Sequence, residues 1–192
     1  MLNLKQKTDA EIVRLSLSDD IYFEELVDRY EGKLGRYVSR IASIGKETTE
    51  DLLQEVFIKI YQNLNDFDSQ YSFSSWIYKI THNVVISYIR KMNQVPKFVS
   101  IDDEDLGKNF IDLLPGNSDL PKELDSKDSS KKIRSALMEL PEKYREVLTL
   151  YYLEDKSYKE ISDILDRPIN SVSVMISRAK ERMREKLQLF NL

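Results

Sequence analysis

The first block of apolar positions lies between residues 18 and 92 and recurs at steps of three and four residues. Such spacing places the apolar side chains on one face of a helix. Thr48 and Asp51 resemble a capping pair at the start of the second of these helices. The block therefore predicts a bundle of three helices whose buried sides are formed, in turn, by Phe23, Leu26, Val27, Tyr30, Leu34, Tyr37, Val38 and Ile41, by Leu52, Leu53, Val56, Phe57, Ile60 and Leu64, and by Trp76, Ile77, Ile80, Val84 and Tyr88.

A second block of apolar positions runs from about residue 128 to about residue 190. It predicts a short helix and then another that begins at Pro141, a residue suited to a first helical turn. Ser157 and Glu160 form a capping-box pattern ahead of a third helix, which stops at residues 166–169. Two helices joined by such a tight turn predict a helix-turn-helix, whose last helix buries Val172, Ile176, Ala179, Met183 and Leu187.

The stretch between the two blocks has a different composition. It holds three of the five prolines, and from Asn93 to Asp128 nine acidic residues stand against four lysines, a net charge of −5. Such a segment cannot bury enough apolar area to fold by itself. The chain is therefore predicted to be all-α, with two small helical domains joined by a flexible acidic linker: an N-terminal segment 1–17, a first domain 18–92, a linker 93–127 and a second domain 128–192.

The composition excludes several kinds of site. The chain has no Cys and a single His, His82, so disulfides, thiolate zinc sites and Cys–His dyads are impossible. A Gly-rich phosphate loop and a Ser/His/Asp set are also missing from the sequence. We expect no catalytic residue, no metal site, no cofactor and no small-molecule substrate, and, with no signal peptide or long apolar run, a cytoplasmic protein.

Charge is distributed unevenly along the chain. The formal net charge is −4, which by itself argues against binding to nucleic acid. Between Arg167 and Leu187, however, six basic residues stand against two acidic ones, a local charge of +4. The last helix is therefore the candidate surface for contacts with phosphates.

Three stretches of the sequence resemble one family, the small two-domain sigma factors called extracytoplasmic-function sigma factors. TTEDLLQEVFIKIYQNL is similar to their polymerase-binding helix, and FSSWIYKITHNVVISYIRK to their promoter-melting helix. The stretch from LPEKYREVLTLYYLEDKSYKE to ISRAKERMREKL resembles their C-terminal helix-turn-helix domain. The order of the three stretches, with an acidic segment between the second and third, implies an alternative sigma factor that binds core RNA polymerase and promoter DNA.

The resemblance implies a polymerase-binding surface on the second helix. In the family this helix binds a coiled coil of the largest polymerase subunit, and the flap of the polymerase is a further contact. The matching residues here are Asp51, Gln54, Glu55 and Phe57. Without the resemblance, interaction with the helix dipole would be the better explanation of an acidic helix start, and only the order of the motifs favours a polymerase contact.

The resemblance also implies a site for the −10 promoter element, at the loop and helix formed by residues 66–91. In the family a base is flipped out of the DNA into a pocket there, and stacking and amide hydrogen bonds offset the cost of extrusion. Tyr71 and Phe73 are candidates for stacking, whereas Trp76 is better explained as a core residue. The remaining candidates are Lys79, His82 and Asn83 for the base, and Arg90 and Lys91 for phosphates.

A second DNA site is implied at the start of the last helix, which in the family reads the −35 element from the major groove. Family members commonly carry basic residues where this chain has Ser173 and Met175, so its sequence preference should differ. Asp155 and Asp166 replace the usual turn glycines and can adopt the left-handed conformation. The candidate −35 residues are Asn170, Ser171, Ser173, Ser177 and Arg178.

The alternatives to a sigma factor are a stand-alone helix-turn-helix regulator and an enzyme. A stand-alone helix-turn-helix regulator would bind its promoter tightly without polymerase, whereas a sigma factor should bind duplex DNA poorly until the polymerase presents both domains. An enzyme is disfavoured because the carboxylates fall on exposed helix faces or in the linker. The resemblance further suggests an anti-sigma factor as a partner, although no residue identifies it.

Overall fold

The computed structural model describes residues 3–92 and 127–189, and all regular secondary structure in these two ranges is helical. The first range contains α1 (Asp9–Ser16), α2 (Phe23–Ala42), α3 (Lys46–Gln62) and α4 (Phe73–Met92), with 3-10 turns at Leu4–Gln6, Asp20–Tyr22 and Leu64–Asp66. The second range contains α5 (Lys127–Met138), α6 (Glu142–Leu148), a π-helical turn (Thr149–Leu153), α7 (Tyr158–Leu165) and α8 (Ile169–Leu189).

The chain divides into two units, one holding residues 1–99 and 163–165 and the other holding residues 100–162 and 166–192. This division confirms the predicted all-α class with two helical parts. The predicted linker 93–127 lies outside the described residues except for Lys127, the first residue of α5. The domain boundaries themselves stay predictions.

The core of the first unit forms where α2, α3 and α4 pack against one another. The rings of Tyr37 and Tyr78 meet edge to face, with centroids 5.2 Å apart. A Cβ atom at Gly35 would lie 3.2 Å from Cδ1 of Leu53, so glycine allows α2 and α3 to approach closely. The fully buried core residues of these helices include Leu26, Leu34, Tyr37, Val38, Ile41, Val56, Ile60, Ile77, Tyr78 and Val85.

The buried side of α4 differs from the prediction. Trp76, Ile80 and Tyr88 are only partly buried, while Tyr78 and Val85, which the apolar stripe left out, are in the core. The reason is that α4 contacts both α2 and α3, so its buried side is broader than one stripe and is rotated from it.

The start of α3 also differs from the prediction. The helix begins at Lys46, with Gly45 as its N-cap, and the backbone N–H of Thr49 donates to the Gly45 carbonyl at 3.0 Å. Thr48 and Asp51 therefore lie inside the helix, and the capping role predicted for them is wrong. The earlier start adds almost one turn to the exposed acidic end of α3.

The N-terminal segment is held against α2 by the guanidinium group of Arg29. Its Nη2 donates to the carbonyl of Leu4 at 2.7 Å, and its Nη1 donates to the carbonyl of Lys7 and to the Asp9 carboxylate, both at 2.9 Å. Its Nε donates to Glu25 at 2.8 Å. Residues 3–16, which were predicted to lie outside the first domain, thus pack on α2.

In the second unit, α8 packs against α5 and α6. The predicted buried stripe of α8 is confirmed, since each of its five residues is at most 1% exposed. Nζ of Lys186 on α8 also pairs with Glu139, just after α5, at 2.6 Å. The other buried apolar residues of this unit are Ile133, Ala136, Leu137, Leu140, Tyr144, Val147, Leu148, Leu150 and Ile161.

Candidate nucleic-acid and polymerase interfaces

The outward face of α3 carries the predicted polymerase-binding residues. Asp51, Gln54 and Glu55 are exposed, and Phe57 is half-buried. Glu55 pairs with Lys59 at 3.2 Å, with both side chains about half exposed. Because an exposed ion pair contributes ~0–1 kcal/mol, this pair leaves the Glu55 carboxylate available to a basic partner.

The same face of α3 continues into apolar residues that the sequence analysis missed. Ile58 is 56% exposed and follows Gln54 by four residues; Tyr61, also exposed, follows Ile58 by three. The Tyr61 ring lies edge to face on Phe23, with centroids 5.2 Å apart, and a hydrogen bond donated to Asp20 raises the pKa of Tyr61. The helical spacing from Gln54 onward could have identified both residues.

The loop before α4 is anchored by one aromatic residue. Phe67 packs its ring against Phe73 and Trp76, with centroids 5.1 and 5.6 Å away. The loop then turns at Asp68, whose carboxylate accepts from the backbone N–H of Gln70 at 2.9 Å. Tyr71 follows and is 65% exposed, so its ring is accessible for stacking.

Phe73 is buried in the core, so the stacking role predicted for it is wrong. Phe73 is 4% exposed and packs against the rings of Tyr30, Phe67 and Trp76. A base cannot stack on a ring that is already covered on its faces and edges by neighbours. Phe73 is a core residue at the start of α4, and Tyr71 is the accessible aromatic residue of this loop.

The predicted polar residues of α4 differ in their position around the helix axis and in their exposure. Lys79, Asn83 and Arg90 lie within about 40° of one another around the axis, since the helix turns about 100° per residue. Asn83, Arg90 and Lys91 are exposed, whereas Lys79 and His82 are half-buried. Asn83 is thus the accessible amide near the centre of this side, and the two cations lie at the C-terminal end of the helix.

The helix-turn-helix is built as its sequence predicts. The Ser157 hydroxyl accepts from the N–H of Glu160 at 3.2 Å, and the Glu160 carboxylate accepts from the N–H of Ser157 at 2.9 Å, which confirms the capping box of α7. Asp166 ends α7 with φ 52°. Asp155, with φ 49°, is also left-handed, so both aspartates adopt the conformation that the usual glycines would favour.

The first turns of α8 expose every predicted −35 residue. The five side chains Asn170, Ser171, Ser173, Ser177 and Arg178 lie away from the buried stripe. Val174 lies among them and is 49% exposed. Val174 was not predicted as a surface residue, because an apolar residue in an amphipathic helix is ordinarily assigned to the core.

Further along α8, three of the basic residues have partners within the second unit. Nζ of Lys180 lies 4.9 and 5.2 Å from the ring centroids of Tyr151 and Tyr152, and the guanidinium carbon of Arg182 lies 5.1 Å from that of Tyr144. Lys186 is paired with Glu139. Partial burial lowers the pKa of Lys180, but its hydrogen bond with Tyr152 and its interactions with the tyrosines together raise it. Much of the local charge of +4 thus serves packing inside the unit.

Among residues 3–92 and 127–189, no group of His and acidic side chains has an arrangement that could hold a metal ion. Within the same ranges, no helix combines the length and the apolar character needed to cross a membrane.

Family models match both units of the chain. Residues 26–94 match the model described as Sigma-70 region 2, and residues 130–183 match the one described as Sigma-70, region 4. The chain is 32% identical over 181 residues to the ECF RNA polymerase sigma factor SigW of Bacillus subtilis, covering 92% of this chain and 95% of that protein. It is also 32% identical over 187 residues to the ECF RNA polymerase sigma-E factor of Escherichia coli K12, covering 96% of each.

Two solved structures have a similar fold. The sigma factor RpoE of Bartonella quintana, solved with the anti-sigma factor NepR, matches with a TM-score of 0.66 and 21% identity, over 86% of this chain and 96% of that one. CnrH, solved with the cytosolic domain of CnrY, matches with a TM-score of 0.68 and 20% identity, over 94% and 97%.

Proposed function

Since the chain belongs to the sigma-70 family, in its extracytoplasmic-function group, we propose which of its surfaces contact the polymerase and the promoter. The chain is an alternative sigma factor: it binds core RNA polymerase and directs promoter-specific initiation of transcription. Sigma factors are initiation factors, and we assign this chain no catalytic residue of its own. Because bacterial RNA polymerase works in the cytoplasm, we also place the protein there.

For the polymerase, we propose the outward face of α3. Asp51, Gln54 and Glu55 supply acidic and amide groups that suit a basic partner, and Ile58 adds an apolar contact beside them. This combination of a polar rim and an exposed apolar residue on one helix is the observation that supports the assignment. Phe57 is half-buried and lies at the edge of this face.

For the promoter, we propose two separate surfaces. The −10 element is read by the loop that carries Tyr71 and by Asn83 and Lys79 on α4, with Arg90 and Lys91 on the phosphates. The −35 element is read by the exposed first turns of α8. An anti-sigma factor is a further proposed partner, supported by the structurally similar RpoE, which was solved with one.

In-vitro transcription with bacterial core polymerase tests this proposal. The chain, added to core polymerase and a library of genomic fragments, should produce new transcript starts that share upstream −35 and −10 motifs. Glu55→Lys should weaken binding to core polymerase by about 2 kcal/mol or more, because it places a like charge against a basic partner. Glu31→Lys, an exposed acid on α2, is the charge-matched control and should have little effect.

Two results would contradict the proposal. If the chain produces no new starts but binds promoter DNA alone, it is a stand-alone regulator. If Glu55→Lys and Glu31→Lys reduce polymerase binding equally, the assignment of the α3 face is wrong.

A further inference from the structure

The start of α8, residues 169–177, has an outward face without a charged residue. Its exposed side chains between residues 169 and 177 are one aliphatic pair, Ile169 and Val174, and four neutral polar residues, Asn170, Ser171, Ser173 and Ser177. The first exposed charge on the helix is Arg178. A DNA-reading helix that starts with neutral side chains must discriminate bases mainly through contacts other than charge.

Val174 lies at the centre of this face. At about 100° per residue, its side chain points about 180° away from the middle of the buried stripe of α8. Asn170 precedes it by four residues and Arg178 follows it by four, so the three side chains form one row along the helix. When the start of α8 enters the major groove, this row faces the base edges.

The chemistry of an aliphatic side chain in that row limits what it can recognise. Valine cannot form hydrogen bonds, and thymine is the base that displays a methyl group in the major groove. We infer that Val174 recognises the C5-methyl group of a thymine in the −35 element. The inference rests on the proposed function, because it requires α8 to read the −35 element.

The residues in the same row as Val174 predict further base pairs of the −35 element. Bidentate recognition of guanine needs Arg or Lys, and in the row only Arg178 supplies one, whereas the Asn170 amide suits adenine. The −35 element is therefore expected to have A·T pairs opposite Asn170 and Val174 and a guanine opposite Arg178.

Deoxyuridine substitution tests the contact at the level of one methyl group. On a promoter mapped by the transcription assay, each thymine of the −35 element, on either strand, is replaced in turn by deoxyuridine. With the wild-type chain and core polymerase, one replacement should weaken promoter binding about fourfold, equivalent to ~0.8 kcal/mol for one buried methyl group. Val174→Ala should lose this sensitivity, whereas Leu189→Ala, an exposed aliphatic change at the far end of α8, should keep it.

The outcomes separate this inference from the proposed function. If scrambling the −35 element abolishes transcription but no single deoxyuridine distinguishes the wild-type chain from Val174→Ala, α8 reads the element and the inference is wrong. A Val174→Ala effect that is equal on all −35 sequences also overturns it. If the wild-type chain supports no −35-dependent transcription, the proposed function fails, and the inference fails with it.

Discussion

Tyr71 and Phe73 lie two positions apart at the junction of the −10 loop and α4, in opposite environments. Tyr71 is exposed after the turn at Asp68, whereas Phe73 is enclosed by Tyr30, Phe67 and Trp76. The two aromatic residues therefore allow promoter contact and core packing to be measured separately.

Alanine substitution at each position should give contrasting results. Phe73→Ala should lower the free energy of unfolding by about 3–5 kcal/mol, because it empties a packed aromatic site. Tyr71→Ala should change stability by less than about 0.5 kcal/mol, yet weaken promoter opening by about 1–3 kcal/mol through the loss of one stacked base. Urea unfolding and permanganate footprinting of the −10 region measure the two effects. Normal promoter opening by Tyr71→Ala would remove Tyr71 from the site.

At the scale of elements, α1 and α2 are joined by a hydrogen bond as well as by Arg29. The hydroxyl of Tyr30 on α2 donates to the carboxylate of Asp9 on α1 at 2.5 Å. Burial of the ring, together with this hydrogen bond and the charge of Asp9, raises the pKa of Tyr30 well above its ordinary range. This contact between α1 and α2 therefore requires the protonated hydroxyl of Tyr30.

This dependence predicts a loss of stability at alkaline pH. Since the folded chain holds the Tyr30 proton more tightly than the unfolded chain, the contribution is complete below about pH 10 and is lost as the pH rises further. Urea unfolding at pH 8 and pH 10.5 should show a larger loss for the wild-type chain than for Tyr30→Phe. Tyr71→Phe, on an exposed tyrosine, is the matched control and should behave like the wild-type chain. Equal losses in all three would contradict a role for Tyr30.

The proposed DNA contacts of α8 and its packing contacts within the second unit lie on different parts of the helix. Its first three turns expose the proposed −35 residues, whereas Lys180, Arg182 and Lys186 contact tyrosines or Glu139 of the same unit. An extended positive face on this helix would require those side chains to leave their partners. The contact to DNA is therefore expected to centre on the start of α8.

At the scale of the whole molecule, the net charge of the chain and the small size of the proposed promoter-reading surfaces predict weak binding to free DNA. The chain has a net charge of −4, and the cations proposed to contact DNA are divided between α4 and α8. Affinity for duplex DNA depends on the number of phosphates that one rigid surface neutralises. Core polymerase is needed to bring both surfaces to one promoter.

The chain alone should therefore bind a promoter duplex with a dissociation constant of roughly 10⁻⁴ to 10⁻⁶ M at physiological salt, the range of non-specific binding. Fluorescence anisotropy on the mapped promoter and on a scrambled duplex measures the affinity and the discrimination. Little discrimination is expected without polymerase, and strong discrimination with it. Tight, sequence-specific binding by the chain alone would favour the stand-alone regulator.

The sequence by itself determined the features that depend on local spacing. The apolar steps of α8 predicted its buried stripe, and Ser157 and Glu160 predicted the start of α7, because these features lie within one or two helical turns. The left-handed conformations at Asp155 and Asp166 were expected because the resemblance places these residues where the family has turn glycines, and aspartate can adopt that conformation. The exposure of the proposed α3 and −35 residues follows from the same periodicity.

Tertiary structure decided what depends on neighbouring helices. The rotation of the buried side of α4 and the burial of Phe73 arise because α2 and the loop of Phe67 cover parts of that helix which periodicity leaves open. The partners of Arg182 and Lys186 lie some 40 residues earlier in the chain, at Tyr144 and Glu139, and no local pattern connects them. Whether a side chain such as Val174 serves the core or faces a partner is settled by which side of its helix the rest of the fold covers.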